Sequence, residues 1–175
     1  FEDGATGWDF SHVPDWNQGV ISPGLGEYLD SIPDGVKVAH VTLDGYISQL
    51  LEAKIAASTT YTLTVYVGHP DIYPPEDWST HDPPWSYSVQ LRHAATISGV
   101  LTSTSDYDPG KGHFGMLTLS YSSGQNPAYV GEHLEIGLMG SGGHTVEFDK
   151  VTLDATPVPV PSTVWLMASG LLSLV

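Results

Sequence analysis

The residues best equipped for chemistry crowd into one proline-rich stretch, His69-Pro70-Asp71-Ile72-Tyr73-Pro74-Pro75-Glu76-Asp77-Trp78-Ser79-Thr80-His81-Asp82-Pro83-Pro84-Trp85. Tyr73, Trp78 and Trp85 offer flat apolar faces, and Asp77 and Asp82 supply hydrogen-bond acceptors beside them. Sugar rings suit such a surface, because their C–H faces stack on aromatic rings while their hydroxyls bond to carboxylates. The stretch is long for a connection between two strands, and long loops are where binding function concentrates. Trp8, Trp16 and Tyr28 either line the same cleft or pack beneath the loops. The competing reading is that these aromatics cover a core and stiffen the insertion.

Catalysis has weaker signals. A glycosidase needs two carboxylates about 5–10 Å apart across a cleft. Glu76, Asp77 and Asp82 supply the groups, but a loop is a poor platform for that geometry. There is no Gly-x-Ser-x-Gly elbow and no cysteine nucleophile. His69 and His81 share the loop with Asp71 and Asp77, yet no His-Glu-x-x-His pattern marks a zinc site. Lys111 sits between glycines without the phosphate-loop pattern around it. No catalytic residue is assigned, and the chain is expected to be non-enzymatic.

Strands must position these residues, because the dominant period is two. Val36–Thr42, Tyr46–Leu50, Thr60–Val67, Tyr87–Arg92, Met116–Tyr121, Leu134–Leu138 and Val146–Leu153 alternate or are short and β-branched, with turn formers between them. In Thr60–Val67 the alternation places Thr60, Thr62, Thr64 and Tyr66 on one face and Tyr61, Leu63, Val65 and Val67 on the other. Only Gln49–Ala57 has the composition of a short helix. The pattern predicts an all-β, antiparallel sandwich over residues 1–156.

The 175 residues, 41% hydrophobic, suffice for one domain with a real core. With no cysteine, that domain is held by its core or by a metal rather than by disulfides. A formal charge of −15 repels nucleic acid and anionic headgroups, which excludes nucleic-acid binding.

After residue 156 the composition changes. Residues 157–162 form a proline-rich linker, and Thr163–Val175 is an uncharged apolar run of 13 residues, short of the roughly 20 that span a bilayer. It is expected to be a hydrophobic helix, an incomplete membrane anchor of a chain cut at both ends. Val158-Pro159-Val160-Pro161-Ser162-Thr163, followed by Trp165-Leu166 and Gly170-Leu171-Leu172, resembles the PEP-CTERM sorting tail of Gram-negative bacteria. Val160 stands where that tail usually has Glu, and the basic cluster that normally closes it is absent. The resemblance implies export, tethering to the inner membrane, processing by an exosortase, and delivery to the cell envelope or extracellular matrix.

A second resemblance covers most of residues 1–156. Phe1-Glu2-Asp3, Pro33-Asp34-Gly35, Val38-Ala39-His40-Val41, Thr59–Val65 and Val146–Leu153 look like the exported jelly-roll domains of the galactose-binding-like superfamily, which includes many carbohydrate-binding modules. That resemblance implies a jelly roll and a structural Ca²⁺ held by Glu2 and Asp149, consistent with the preference of Ca²⁺ for oxygen ligands. Together the expectations describe an exported, non-catalytic sandwich that binds extracellular polysaccharide. A matrix protein acting through protein contacts, or a glycan-active enzyme, are the alternatives.

Overall fold

The computed structural model describes residues 1–10, 18–42, 45–71, 85–93, 99–105, 107–141 and 145–159. Among them are nine strands: β1 (Gln18–Ile21), β2 (Val38–Thr42), β3 (Tyr46–Lys54), β4 (Thr59–His69), β5 (Ser86–His93), β6 (Val100–Thr104), β7 (His113–Ser122), β8 (His133–Ser141) and β9 (Thr145–Pro157). They form two antiparallel sheets, ordered β1-β2-β9-β4-β7 and β3-β8-β5-β6. The all-β sandwich is therefore present. The expected C-terminal helix, with Val160, Pro161, Ser162 and Thr163, falls outside the described residues, and among those described no helix is long and apolar enough to cross a membrane.

The alternation sorts the core as its period requires. Tyr61, Leu63, Val65 and Val67 are buried against Val89, Leu91, Ile136 and Leu138 of the facing sheet, while Thr60, Thr62 and Thr64 point outward. On that outer face the hydroxyls pair across the ladder, Thr60 with Ser122 at 2.9 Å and Thr62 with Ser120 at 3.5 Å.

Residues 49–54 are strand, not helix. Gln49 and Leu50 pair with Ile136 and Glu135 of β8, so the ladder outweighs the local helical composition of Leu-Leu-Glu-Ala-Lys. Strands β1 and β6 were not anticipated, since Gln-Gly-Val-Ile and Val-Leu-Thr-Ser-Thr carry too few alternations to stand out.

The outer face of the four-stranded sheet buries charge. The Arg92 guanidinium, 2% exposed, lies over the Tyr46 ring at 4.5 Å and donates to the Tyr46 hydroxyl and, at 2.8 Å, to Gln90 Oε1. Tyr46 donates to Glu135 Oε1 at 2.9 Å, and burial pushes its phenol up to about 12. Gly137 makes the approach possible, because a Cβ there would stand 3.0 Å from Tyr46 Cε2 and 3.2 Å from Arg92 Nε.

Candidate active site

One row crosses the outer face of the five-stranded sheet. Gly19, His40, Glu147, Gly68 and Phe114 are register partners on β1, β2, β9, β4 and β7. Their chain neighbours Ala39, Phe148 and Val67 point into the core, so alternation turns His40, Glu147 and Gly68 outward. An outward carboxylate should be wet, yet Glu147 is fully buried. The cause is the segment between β1 and β2, residues 22–37, which runs over the sheet as a strap.

Tyr28 is the strap's inward side chain. Its ring stacks on Phe114 with centroids 4.2 Å apart and planes inclined by 30°. Gly68 is the floor: a Cβ there would lie 2.5 Å from both Phe114 Cε1 and Tyr28 Oη. Burial, and then the neighbouring Glu147 carboxylate, pushes the Tyr28 phenol far up. Despite that proximity, neither Tyr28 Oη nor Glu147 Oε2 completes a hydrogen bond among the described residues. Glu147 Oε1 meets His40 Nδ1 at 3.0 Å, and the His40 ring, 21% exposed, links the buried acid to the surface. The arrangement joins a buried carboxyl with one unpaired oxygen, an imidazole that reaches from it to the surface, and an aromatic ring beside a glycine floor.

The far end of the strap is fastened by two carboxylates. Glu2 Oε1 accepts from the Val36 and Lys37 N–H groups at 2.8 and 2.7 Å, and Asp149 Oδ2 accepts from Asp34 N–H at 2.8 Å. The two N–H bonds hold the Glu2 carboxyl below its usual range, whereas burial raises Asp149 in spite of its own N–H donors. Glu2 and Asp149 are thus brought to one four-residue stretch, Asp34–Lys37. Among the described residues no group of three or more His, Cys, Asp and Glu side chains forms a ready metal cage.

The near end of the strap is tied to the 108–114 segment. Leu29 N–H donates to Gly112 O at 2.7 Å, and Asp30 Oδ2 meets His113 Nδ1 at 2.9 Å. The bond from His113 keeps the Asp30 carboxyl low. At Asp108 burial acts upward, but bonds from His69 at 3.0 Å and Gly110 N–H at 2.8 Å bring the net result below its usual range. Carboxyls with lowered values stabilise the fold above their ordinary value, 3.8 for Asp, and that contribution disappears as pH falls toward the folded-state value. Acidification below about pH 4 is therefore expected to free the strap before the sheets melt. Hydrogen exchange of Leu29 and Phe114 amides, compared with core amides of β4, measures it, and simultaneous loss of protection would contradict this order.

Of the aromatics predicted to contact ligand, Trp85 is described. Its ring stacks on His69 with centroids 4.4 Å apart, and its Nε1 donates to Thr145 O at 3.0 Å, at the end of the core. Tyr73, Trp78, Asp77 and Asp82 lie outside the described residues. Sequence reading missed Glu147 and Gly68. The available signal was an acidic residue on the polar side of a long alternating strand, which ordinarily means solvent; only the strap makes it a buried acid.

The family model described as HpiC1-like, HpiC1 cyclase, matches residues 1–154. No curated protein matches the chain. Among solved structures, the Stig cyclase Fisc from Fischerella sp. TAU in complex with (3Z)-3-(1-methyl-2-pyrrolidinylidene)-3H-indole is 26% identical, with a TM-score of 0.70 over 87% of this chain and 86% of that one. A cyclase from Fischerella sp. TAU in complex with 4-(1H-indol-3-yl)butan-2-one is also 26% identical, with a TM-score of 0.72 over 88% of this chain and 87% of that one. A family 16 carbohydrate-binding module is similar at 15% identity, with a TM-score of 0.52 over 87% of this chain and 94% of that one, a likeness of fold alone.

These findings overturn the reading as a non-enzymatic PEP-CTERM protein with a galactose-binding-like ectodomain. The two cyclases are in complex with small indole compounds, so the expected polysaccharide ligand, exosortase partner and inner-membrane contact are withdrawn with it. The physical reason is that one sandwich serves both binding modules and enzymes, so a fold-level likeness could not choose between them. The tail motif, for its part, rested on residues 158–175, beyond the 154 that the family model matches. This chain belongs to the HpiC1-like cyclase family.

Proposed function

We propose that this protein closes a ring in a small, largely apolar substrate carrying an indole or similar flat aromatic, by general acid catalysis from Glu147. The observation that carries the reading is a fully buried carboxyl whose Oε2 is unspent while Oε1 is held by His40. The relatives' indole complexes supply the substrate class. Proton transfer from Oε2 to an unsaturated carbon or carbonyl of the substrate makes that partner electrophilic. The electron-rich aromatic carbon then forms the new carbon–carbon bond, and the proton shed on rearomatisation returns to the Glu147–His40 pair. Atoms and charge balance as an isomerisation. The Phe114 ring beside Gly68 offers its π-face to the cationic intermediate. His40→Ala is expected to lower kcat about tenfold or more, less than loss of Glu147, by uncoupling the acid from solvent. An unchanged rate would exclude His40 from the proton route.

We also read the strand order as a jelly roll and propose that Ca²⁺ joins Glu2 and Asp149. Asp149 is a fully buried carboxyl raised by burial, which a cation would relieve, and Glu2 reaches the same stretch of strap. Chelation should lower the thermal midpoint, by the equivalent of about 2.7 kcal/mol if calcium had stood at 100 times its Kd. In chelator the raised folded-state value means the native protein holds the Asp149 proton more readily than the unfolded chain. The penalty of ionising it grows as pH climbs from 3.8 through the folded value. The stability of Asp149→Asn relative to wild type should therefore improve over that window in chelator and fall when calcium is supplied. Indifference to calcium in both proteins would remove the metal.

A further inference from the structure

We propose that Tyr28 is an internal ligand: its ring occupies the seat of the substrate's aromatic ring, and the strap must lift from Gly68 before substrate enters. This rests on Glu147 being the acid of the site. Tyr28 is the one strap side chain that stacks on Phe114 over Gly68, a slot only as deep as a flat ring. Its polar end is brought to the Glu147 carboxylate but not satisfied there, so two buried polar atoms, Tyr28 Oη and Glu147 Oε2, stay unpaired in the closed form. Buried polar groups are ordinarily paired, and an unpaired couple marks a place that another molecule can satisfy better. An indole N–H or a ketone seated on Phe114 would meet that need where the phenol does not.

The strap is built to move at this end. Residues 22–32 contain no strand, the apolar residues Leu25 and Leu29 on either side of Tyr28 face solvent, and the segment's other apolar residues, Pro23 and Ile32, are half-buried. Among the described residues its attachments to the rest of the fold are few: Leu29 N–H to Gly112 O, Glu27 O from Asp71 N–H, and the Asp30 carboxylate to His113 and to Phe114 N–H. Gly26, at φ +92°, supplies a backbone joint on one side, and the Asp34–Lys37 stretch fixed by Glu2 and Asp149 supplies the anchor on the other. A self-occupied site lowers apparent affinity by the fraction of molecules that are open.

The test is titration of wild type, Tyr28→Ala and Asp30→Ala with 4-(1H-indol-3-yl)butan-2-one, read calorimetrically so that binding is scored independently of turnover. The expected result is tighter binding by both variants, about fivefold or more, because one removes the plug and the other loosens its exposed tie without touching the seat. In wild type, saturating probe should also abolish the Tyr28–Phe114 ring-to-ring nuclear Overhauser contact. Weaker binding by Tyr28→Ala would make Tyr28 a wall of the site and overturn the proposal. So would a retained Tyr28–Phe114 contact in the complex, or absence of binding by the unplugged variant. Full turnover by Glu147→Gln would instead overturn the assignment of the acid, an outcome that the binding data do not depend on.

Discussion

Glu147→Gln is expected to slow ring closure by about 10²–10⁴-fold, the range that a positioned general acid contributes. The substitution is close to isosteric, and its amide oxygen still accepts from His40 Nδ1, so the row across β2, β9 and β4 should keep its packing. Exchanging the buried carboxyl for an amide of the same shape should leave stability within about 1 kcal/mol of wild type. What is lost is the proton, which an amide cannot supply. Single-turnover rates on an indole-bearing substrate measure the first effect and a thermal melt the second. Glu147→Asp should retain part of the activity, because the acid remains but withdraws by one methylene from its partner on β2 and from the slot over Gly68. Activity of Glu147→Gln within a few-fold of wild type would place the acid elsewhere.

The largest effect on stability is expected at Glu135. Arg92 is 2% exposed, and Glu135 faces it at 3.7 Å, joined through the Tyr46 hydroxyl that donates to Glu135 Oε1 at 2.9 Å. Glu135→Leu leaves a guanidinium buried with no counter-charge, which costs about 3–5 kcal/mol. For a domain of this size that is a fall of roughly 6–20 °C in thermal midpoint. Replacing both ends, Arg92→Leu with Glu135→Leu, should recover most of the loss, since two apolar side chains leave no stranded charge. A single variant that melts within a degree or two of wild type would mean the pair is solvated. Denaturant unfolding at unchanged m-value distinguishes true destabilisation from a change in the unfolded chain.

The alternation legible in Thr60–Val67 fixes which side chains enter the core, and β4 runs as that period requires; in β9 an irregularity at Lys150, φ +46°, shifts the phase, so Val146 and Phe148 and then Val151 and Leu153 pack on the core. Local pattern failed where the ladder overrode it. Leu51 to Lys54 have helical composition yet extend β3, because pairing with β8 and the burial of Ile55 reward the extended form. It also failed where strands are too short to display a period, as in β1 and β6. The resemblance to carbohydrate-binding modules agrees with the all-β, two-sheet sandwich but implied the wrong activity, which the cyclase family model and the indole-bound relatives correct.

By itself the sequence determined the class of structure: an acidic, cysteine-free, all-β sandwich whose hydrophobic faces follow from a period of two. Tertiary structure alone decided the site. Glu147 is 107 residues from His40, 119 from Tyr28 and 79 from Gly68, and nothing in the spacing of those residues announces that they meet. Strand register puts His40, Glu147 and Gly68 in one row, and the strap then covers an outward carboxylate that alternation alone would leave in water. Period is a local property of the chain, whereas desolvation depends on what long-range pairing lays across the sheet.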